Sequence, residues 1–440
     1  MAAERTLRLN FFQRMMLRWR ALHPYNPVHV LHLPLPLDVA RLRQAIAAQL
    51  EALGLSGLQL DERRGRYRYT GGPASVDLRV VDAGGDAERA LQRTIEAELN
   101  RPFVAGSHEN PLRFVAIDED DAYRLVLAYD HYLAGGEAVA RLLLRLAAVL
   151  LGDSAATALP APAVQDTARY RDALLRHPGW LLRALLELPR TVAQGRRVWR
   201  LRAPAGAECS NGYRALRLGG APTRALRATA ARWGVTVHEL LSACLLQALA
   251  PLAAQRASQP RRNQLAVASI MNMRRDLPPD ARDGLAPFLA AYRVTHPVPA
   301  QLELRELAYD VHRQTSRVRQ RHVYLQSLLG LAVSALAWRW LTPAQRGGFY
   351  AKHFPVQAGI TSIDLNRLWA DGAATAARVG YLRAVPTGPL CPLVLAATQL
   401  RDELHLGIAF RSGNFSHEAV ERLAAQLLHQ IELASVDVAA

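Results

Sequence analysis

Cysteine and lysine are scarce in this chain of 440 residues, and no apolar run is long enough to span a bilayer. Each scarcity removes a class of protein. Cys209, Cys244 and Cys391 lie too far apart for a disulfide framework or for paired metal-ligand spacing, and a reducing cytoplasm suits them. Lys352 is the sole lysine, so the formal charge of +16 rests on arginines spread along the chain. Dispersed arginine reads as a preference for Arg over Lys and not as a phosphate-binding footprint, so no nucleic-acid partner is expected. A basic surface also suits an acidic protein or an anionic lipid, through attraction that weakens with salt. The uncharged stretch Val323 to Trp338 has about 16 residues, short of the ~18 to 20 that cross a bilayer. The opening MAAERTLRLNFFQRMMLRWR mixes charge into its apolar residues and shows no secretory cleavage pattern. No Walker-type loop, dinucleotide fingerprint or metal-ligand cluster stands out, so neither a tightly bound cofactor nor a metal is expected.

Half of the residues are hydrophobic, enough for more than one domain-sized core. The first part alternates strand and helix patterns. Val28–Leu33 reads as a strand, and Asp38 caps a helix to about Leu53 that carries Leu42, Ile46 and Leu50 on one face. Strands follow at Arg66–Thr70 and Val76–Val81, then a helix over about Asp86–Leu99. Arg113–Ile117 and Tyr123–Tyr129 form a meander across the acidic turn Asp118–Asp121, and an apolar helix runs from Gly136 to about Leu151. From Gly152 to Pro204 the pattern loosens, with an Ala/Pro-rich stretch at Ala155–Ala163 before basic helical pieces at Leu174–Arg200. The second part resumes with a strand at Tyr213–Leu218 and helices at Pro222–Trp233 and Val237–Ala253. Strands follow at Leu265–Met271, Phe288–Val294, Gln357–Ile363, Arg378–Leu382, Leu393–Thr398 and Leu404–Phe410, and a last helix is capped by Ser416. The expected fold is therefore α/β (α+β), with two lobes, each a mixed sheet with helices. The first lobe spans 1–155, the connection 156–205 and the second lobe 206–440.

The segment that carries chemistry is Tyr129-Asp130-His131-Tyr132-Leu133-Ala134-Gly135-Gly136-Glu137. A histidine where a strand ends and a glycine-containing loop enters a helix is fixed on one side and accessible on the other. Its ordinary pKa lets it take a proton from a hydroxyl or an amine near neutral pH. Most histidines in such places are structural or merely exposed, and the surrounding motif decides the matter here.

Asp130 to Gly136 resembles the His-His-x-x-x-Asp-Gly motif of condensation domains and related acyltransferases, with His131 in the place of the active-site histidine and Gly136 in that of the closing glycine. Asp130 replaces the first histidine. Gly135 replaces the aspartate, which in that family pairs with an arginine to shape the loop. Further landmarks keep the family's order: Asn100-Arg101-Pro102-Phe103, Val235-Thr236-Val237-His238-Glu239, Ile270-Met271-Asn272-Met273-Arg274-Arg275, and Phe410-Arg411-Ser412-Gly413-Asn414. The resemblance implies two chloramphenicol-acetyltransferase-like lobes in a V around a central tunnel. It implies an acyl-CoA or acyl-carrier-protein thioester donor, a hydroxyl or amine acceptor, and His131 as the catalytic residue. Asp130, Tyr132, Gly135 and Gly136 would shape the loop or bind substrate. Thr361 and Ser362, in a segment similar to the family's tunnel-facing strand, would bind substrate or stabilise an oxyanion, although polar residues along a strand are the simpler reading. The degenerate loop leaves a second possibility open, a module that keeps the fold and only binds a carrier protein or partner enzyme.

Glu137 offers a substitute for the missing carboxylate, and a solvated first-turn glutamate explains it more simply. Structural pairing is the favoured reading of Arg274 and Arg275. His177 to Arg190 is apolar with basic flanks and suits peripheral contact with an anionic membrane. An interlobe helix packed on the core is the simpler expectation there, and core or tunnel wall is the expectation for Leu328–Trp340.

Overall fold

The computed structural model describes residues 6–103, 110–153, 158–164, 169–201, 210–253, 261–277, 279–299, 302–389 and 391–436. Cys209 and both expected lobe boundaries, 155/156 and 205/206, lie outside the described residues.

Two large mixed sheets organise the chain. The first has five strands in the order Gly380–Ala384, Val28–Leu33, Tyr123–Tyr129, Leu112–Asp118, Leu78–Asp82. Its central strands are buried on both faces, which is why Val28–Leu33 and Tyr123–Tyr129 read as nearly continuous apolar runs and not as alternating ones. The second has six strands in the order Leu289–Pro297, Gln264–Asn272, Ala358–Asp364, Leu393–Leu400, Glu403–Arg411, Asn211–Leu218. A small sheet, Leu7–Arg8 with Arg66–Tyr69 and Leu58–Asp61, stands beside the first.

Helix ends follow their capping residues. Asp38 accepts from the Arg41 N–H to open Val39–Ala52, Asp86 accepts from Arg89 to open Ala87–Asn100, and Thr236 with Glu239 forms a capping box before Val237–Leu249. Leu42, Ile46 and Leu50 face the core as expected.

The strand Gly380–Ala384 comes from late in the sequence and pairs antiparallel with Val28–Leu33, completing the first sheet. The ranges drawn from sequence assign it to the second lobe, because its residues show only that it is a strand and not which sheet it joins. At this crossing the backbones approach closely: a Cβ at Gly407 would stand 2.3 Å from the Arg383 carbonyl oxygen. Helix Ala87–Asn100 braces the junction, with Asn100 and Asn211 bonded to each other and the Tyr213 N–H donating to Glu96. No helix among the described residues is long and apolar enough to cross a membrane.

Candidate active site

His131 follows the last residues of the central strand Tyr123–Tyr129, and its two neighbours are fastened to a helix, Phe11–Arg20, that sequence reasoning did not assign. The buried Asp130 carboxylate is ion-paired with Arg20, which also pairs with Glu62. On the other side the Tyr132 carbonyl accepts from Gln13 Nε2 at 2.9 Å. Asp130 is thus held behind the loop by an ion pair, and Tyr132 is likewise buried. The signal that could have revealed the helix is the capping box of Asn10 and Gln13. Asn10 Nδ2 also donates to the Pro287 carbonyl, and the Gly135 N–H to that of Leu285, so the loop is held to both halves of the chain.

The His131 ring is half-buried between Tyr25, with centroids 5.1 Å apart, and Tyr129, at 6.0 Å in an edge arrangement. Burial pulls its pKa down to about 4, partly opposed by backbone groups of Ala134 and of His131 itself. Its Nδ1 is buried and makes no hydrogen bond of good geometry. At neutral pH the imidazole is uncharged and able to accept a proton. A second imidazole, His29, stands behind it in contact with the Tyr129 and Tyr381 hydroxyls, and burial, with Arg383 and His131 nearby, holds it well below the ordinary histidine value. Nothing in the pattern around Val28 distinguishes His29 from an edge-facing residue, and sequence reasoning missed it.

His131 opens into a cavity of about 1480 Å³ whose walls come from both halves of the chain, including His29 and Gly136 from the first and His238, Ser269, Ser362 and Arg383 from the second. Arg383 sits on the crossing strand beside the loop. Its guanidinium donates to Thr398 Oγ1 at 2.9 Å and to the Thr361 and Ala397 carbonyls at 2.9 and 3.0 Å, and burial lowers its pKa. A Cβ on Gly136 would lie 3.8 Å from its Nη1. The arginine next to the degenerate motif is thus held by carbonyls and a hydroxyl, with Glu137 close enough to favour its charge. Gly135 is the N-cap of Gly136–Leu150 without a side-chain cap, and a Cβ there would meet only Pro287 Cα at 3.8 Å. Its loss of a side chain is not a steric requirement.

Glu137 accepts from Asn272 Nδ2 at 2.9 Å, tying the loop to the end of Gln264–Asn272. Thr361 contributes its carbonyl to Arg383. The Ser362 hydroxyl meets His238 Nδ1 at 2.8 Å, and His238 Nε2 meets Ser269 Oγ at 2.8 Å. Burial draws His238 down to about 4 as well. Of the expected substrate-facing residues, Gly135, Gly136, Thr361 and Ser362 line the cavity with His131, while Asp130 and Tyr132 do not. Arg274 donates to the Ala281 and Ala286 carbonyls, the structural pairing expected of it, and Arg275 is exposed. Among the described residues no group of three or more His, Cys, Asp or Glu is placed to hold a metal ion.

Solved structures with this architecture cover almost the whole chain. The first condensation domain of the CDA synthetase aligns over 98% of this chain and 96% of its own, with TM-score 0.68 and 16% identity. The SgcC5 protein from Streptomyces globisporus aligns over 98% and 99%, with TM-score 0.65 and 15% identity. The EpoB cyclization-docking bidomain from Sorangium cellulosum aligns over 98% and 84%, with TM-score 0.69 and 12% identity. The chain therefore has the two-lobed α/β fold of these condensation-domain structures. Residues 208–343 match the profile of the phthiocerol/phthiodiolone dimycocerosyl transferase C-terminus. No curated protein sequence matches the chain.

Proposed function

We propose that the protein is an acyltransferase of lipid or secondary metabolism that moves an acyl group from a carrier-protein or CoA thioester to a hydroxyl or amine acceptor. The observation that carries this reading is an uncharged histidine presented, on a loop fastened from both sides, to a cavity shared by both lobes. The acceptor's O–H or N–H proton passes to His131 as the acceptor attacks the thioester carbonyl. Collapse of the tetrahedral intermediate breaks the C–S bond, and the departing thiolate takes the proton from His131. An uncharged imidazole of this kind supports general-base assistance, the proton moving as the new bond forms. The Ser362 hydroxyl, on the cavity wall and paired with His238 Nδ1 at 2.8 Å, supports an oxyanion-stabilising role in the tautomer that protonates Nδ1, which leaves the hydroxyl proton to donate. Enclosure of both reactants in one cavity contributes positioning worth several kcal/mol.

The test is to incubate the protein with panels of acyl-CoA and acyl-carrier donors and a cell extract of acceptors, and to look for products by mass spectrometry. Transfer should be lost in a folded His131→Ala variant. Wild-type turnover by that variant refutes the role given to His131. Carrier binding without any product from wild-type protein would favour the module that only binds, the reading motivated by Asp130 and Gly135.

A further inference from the structure

The largest concentration of exposed apolar side chains lies on two segments far apart in sequence. Leu175, Leu181, Leu182, Leu185, Leu186 and Val192 stand on the helices Tyr170–Arg176, Pro178–Leu186 and Leu188–Arg197. Leu329, Val333, Leu336, Trp340 and Phe354 stand on or beside Leu325–Ala337 and Pro343–His353. Leu186 and Trp340 are 72% and 74% exposed, far beyond ordinary surface leucine and tryptophan in a folded protein. Helix Pro178–Leu186 buries only Ala184, so the expectation that it packs on the core fails for its whole leucine face. Leu325–Ala337 divides: Leu328, Leu331 and Ser334 are buried, whereas Leu329, Val333 and Leu336 face outward.

The segments form one surface. Gln326 Nε2 donates to the Ala184 carbonyl at 2.6 Å, and the Trp180 ring stacks between His177 and His322 at 3.8 and 4.2 Å. Its charge is predominantly positive, although helix Tyr170–Arg176 also carries the exposed Asp172. From Ala173 to Arg200 the only acidic residue is Glu187, which is ion-paired with Arg317, and from Leu325 to Pro355 there is none. Arg176, Arg183, Arg190, Arg197, Arg339 and Lys352 are exposed around the leucines. The surface also runs into the cavity, whose lining includes Val192, Leu329, Val333 and Phe354.

We infer that this face docks on an anionic lipid bilayer, lying in its interface without crossing it. Apolar side chains ringed by arginine match the two terms that hold interfacial helices, burial of hydrocarbon and attraction to negative headgroups. An exposed tryptophan beside Arg339 suits the headgroup level. Docking brings the cavity rim to the membrane, so a lipophilic donor or acceptor enters without passing through water. That consequence rests on the acyl-transfer reading, whereas the docking itself does not.

The experiment is flotation of the full chain with vesicles of phosphatidylcholine alone, or with about a third phosphatidylglycerol, together with light scattering of the free protein. Wild-type protein should float with the anionic vesicles and be released by salt. Two triple variants, Leu182→Gln/Leu186→Gln/Trp340→Gln and Arg176→Gln/Arg183→Gln/Arg339→Gln, each checked for fold by circular dichroism, should each bind at least roughly tenfold more weakly. His131→Ala should float like wild type, which separates docking from catalysis. Wild-type protein that stays unbound, or an apolar variant that floats undiminished, overturns the inference. So does a wild-type dimer that the apolar variant turns into a monomer without any vesicle binding, since the face would then be covered by a second copy.

Discussion

Replacing Arg20 by Met should cost more stability than replacing Asp130 by Asn, although the two residues form one ion pair. Arg20 serves two carboxylates: Asp130, whose side chain is 3% exposed, and Glu62, which is 38% exposed. In Asp130→Asn the guanidinium keeps Glu62, and the asparagine oxygen still accepts a hydrogen bond, so the loss should be near 1–2 kcal/mol. In Arg20→Met a buried carboxylate loses its guanidinium, and such losses run to about 3–5 kcal/mol. Because Asp130 adjoins His131, Arg20→Met should also lower turnover, while Glu62→Gln, at the exposed end, should change stability by less than about 1 kcal/mol. Thermal unfolding of the three variants, with transfer assays below their transitions, measures all of this. Equal losses for Arg20→Met and Asp130→Asn, or full activity in a destabilised Arg20→Met protein, would refute the argument that this pair holds the histidine loop.

Gly135→Asp should fold and leave the unfolding temperature unchanged or slightly higher, because the position has room and an aspartate at a helix N-cap is at least as favourable as glycine; a drop of several degrees in a thermal scan would contradict this. Gly407→Ala should destabilise by roughly 1–3 kcal/mol, since its Cβ collides with the Arg383 carbonyl in two packed strands, and wild-type stability in denaturant titration would be the contrary result. His23, His131 and His238 each have a folded pKa near 4 against an ordinary 6.5, all chiefly through burial. The unfolded chain therefore binds protons first as the pH falls: stability is full above about 6.5, declines toward pH 4, and loses no more than roughly 3 kcal/mol per histidine. Unfolding midpoints that stay flat across that window would overturn these assignments.

Local features of the fold were legible, and long-range ones were not. Asp38 announced its helix because a cap acts within three residues, and the same local signal lies at Asp86 and at the Thr236/Glu239 pair. The apolar run of Tyr123–Tyr129 announced a strand of a meander, and the motif after it pointed to His131. Arg383 reaches the same site only because Gly380–Ala384 pairs with Val28–Leu33, and His29 because that strand pairs in turn with Tyr123–Tyr129. No local pattern encodes a pairing across some 350 residues of chain. The pairing of Ser362 with His238 has the same origin, so Ser362 was legible as a polar strand residue but its partner was not. The leucines of Pro178–Leu186 were seen as apolar, yet whether an apolar helix face is covered is decided by its neighbours and not by its own sequence.

The late strand Gly380–Ala384 has a consequence for how the protein is made. During synthesis the first sheet lacks its edge until residues 380–384 have emerged, leaving Val28–Leu33 with an open row of backbone donors and acceptors. The first half should therefore be completed only when the late strand docks, and the closing of so long a loop should slow that pairing. A fragment ending before residue 380 should be prone to self-association through that edge. The same stitch that brings Arg383 to the histidine loop makes a complete site available only to a complete chain.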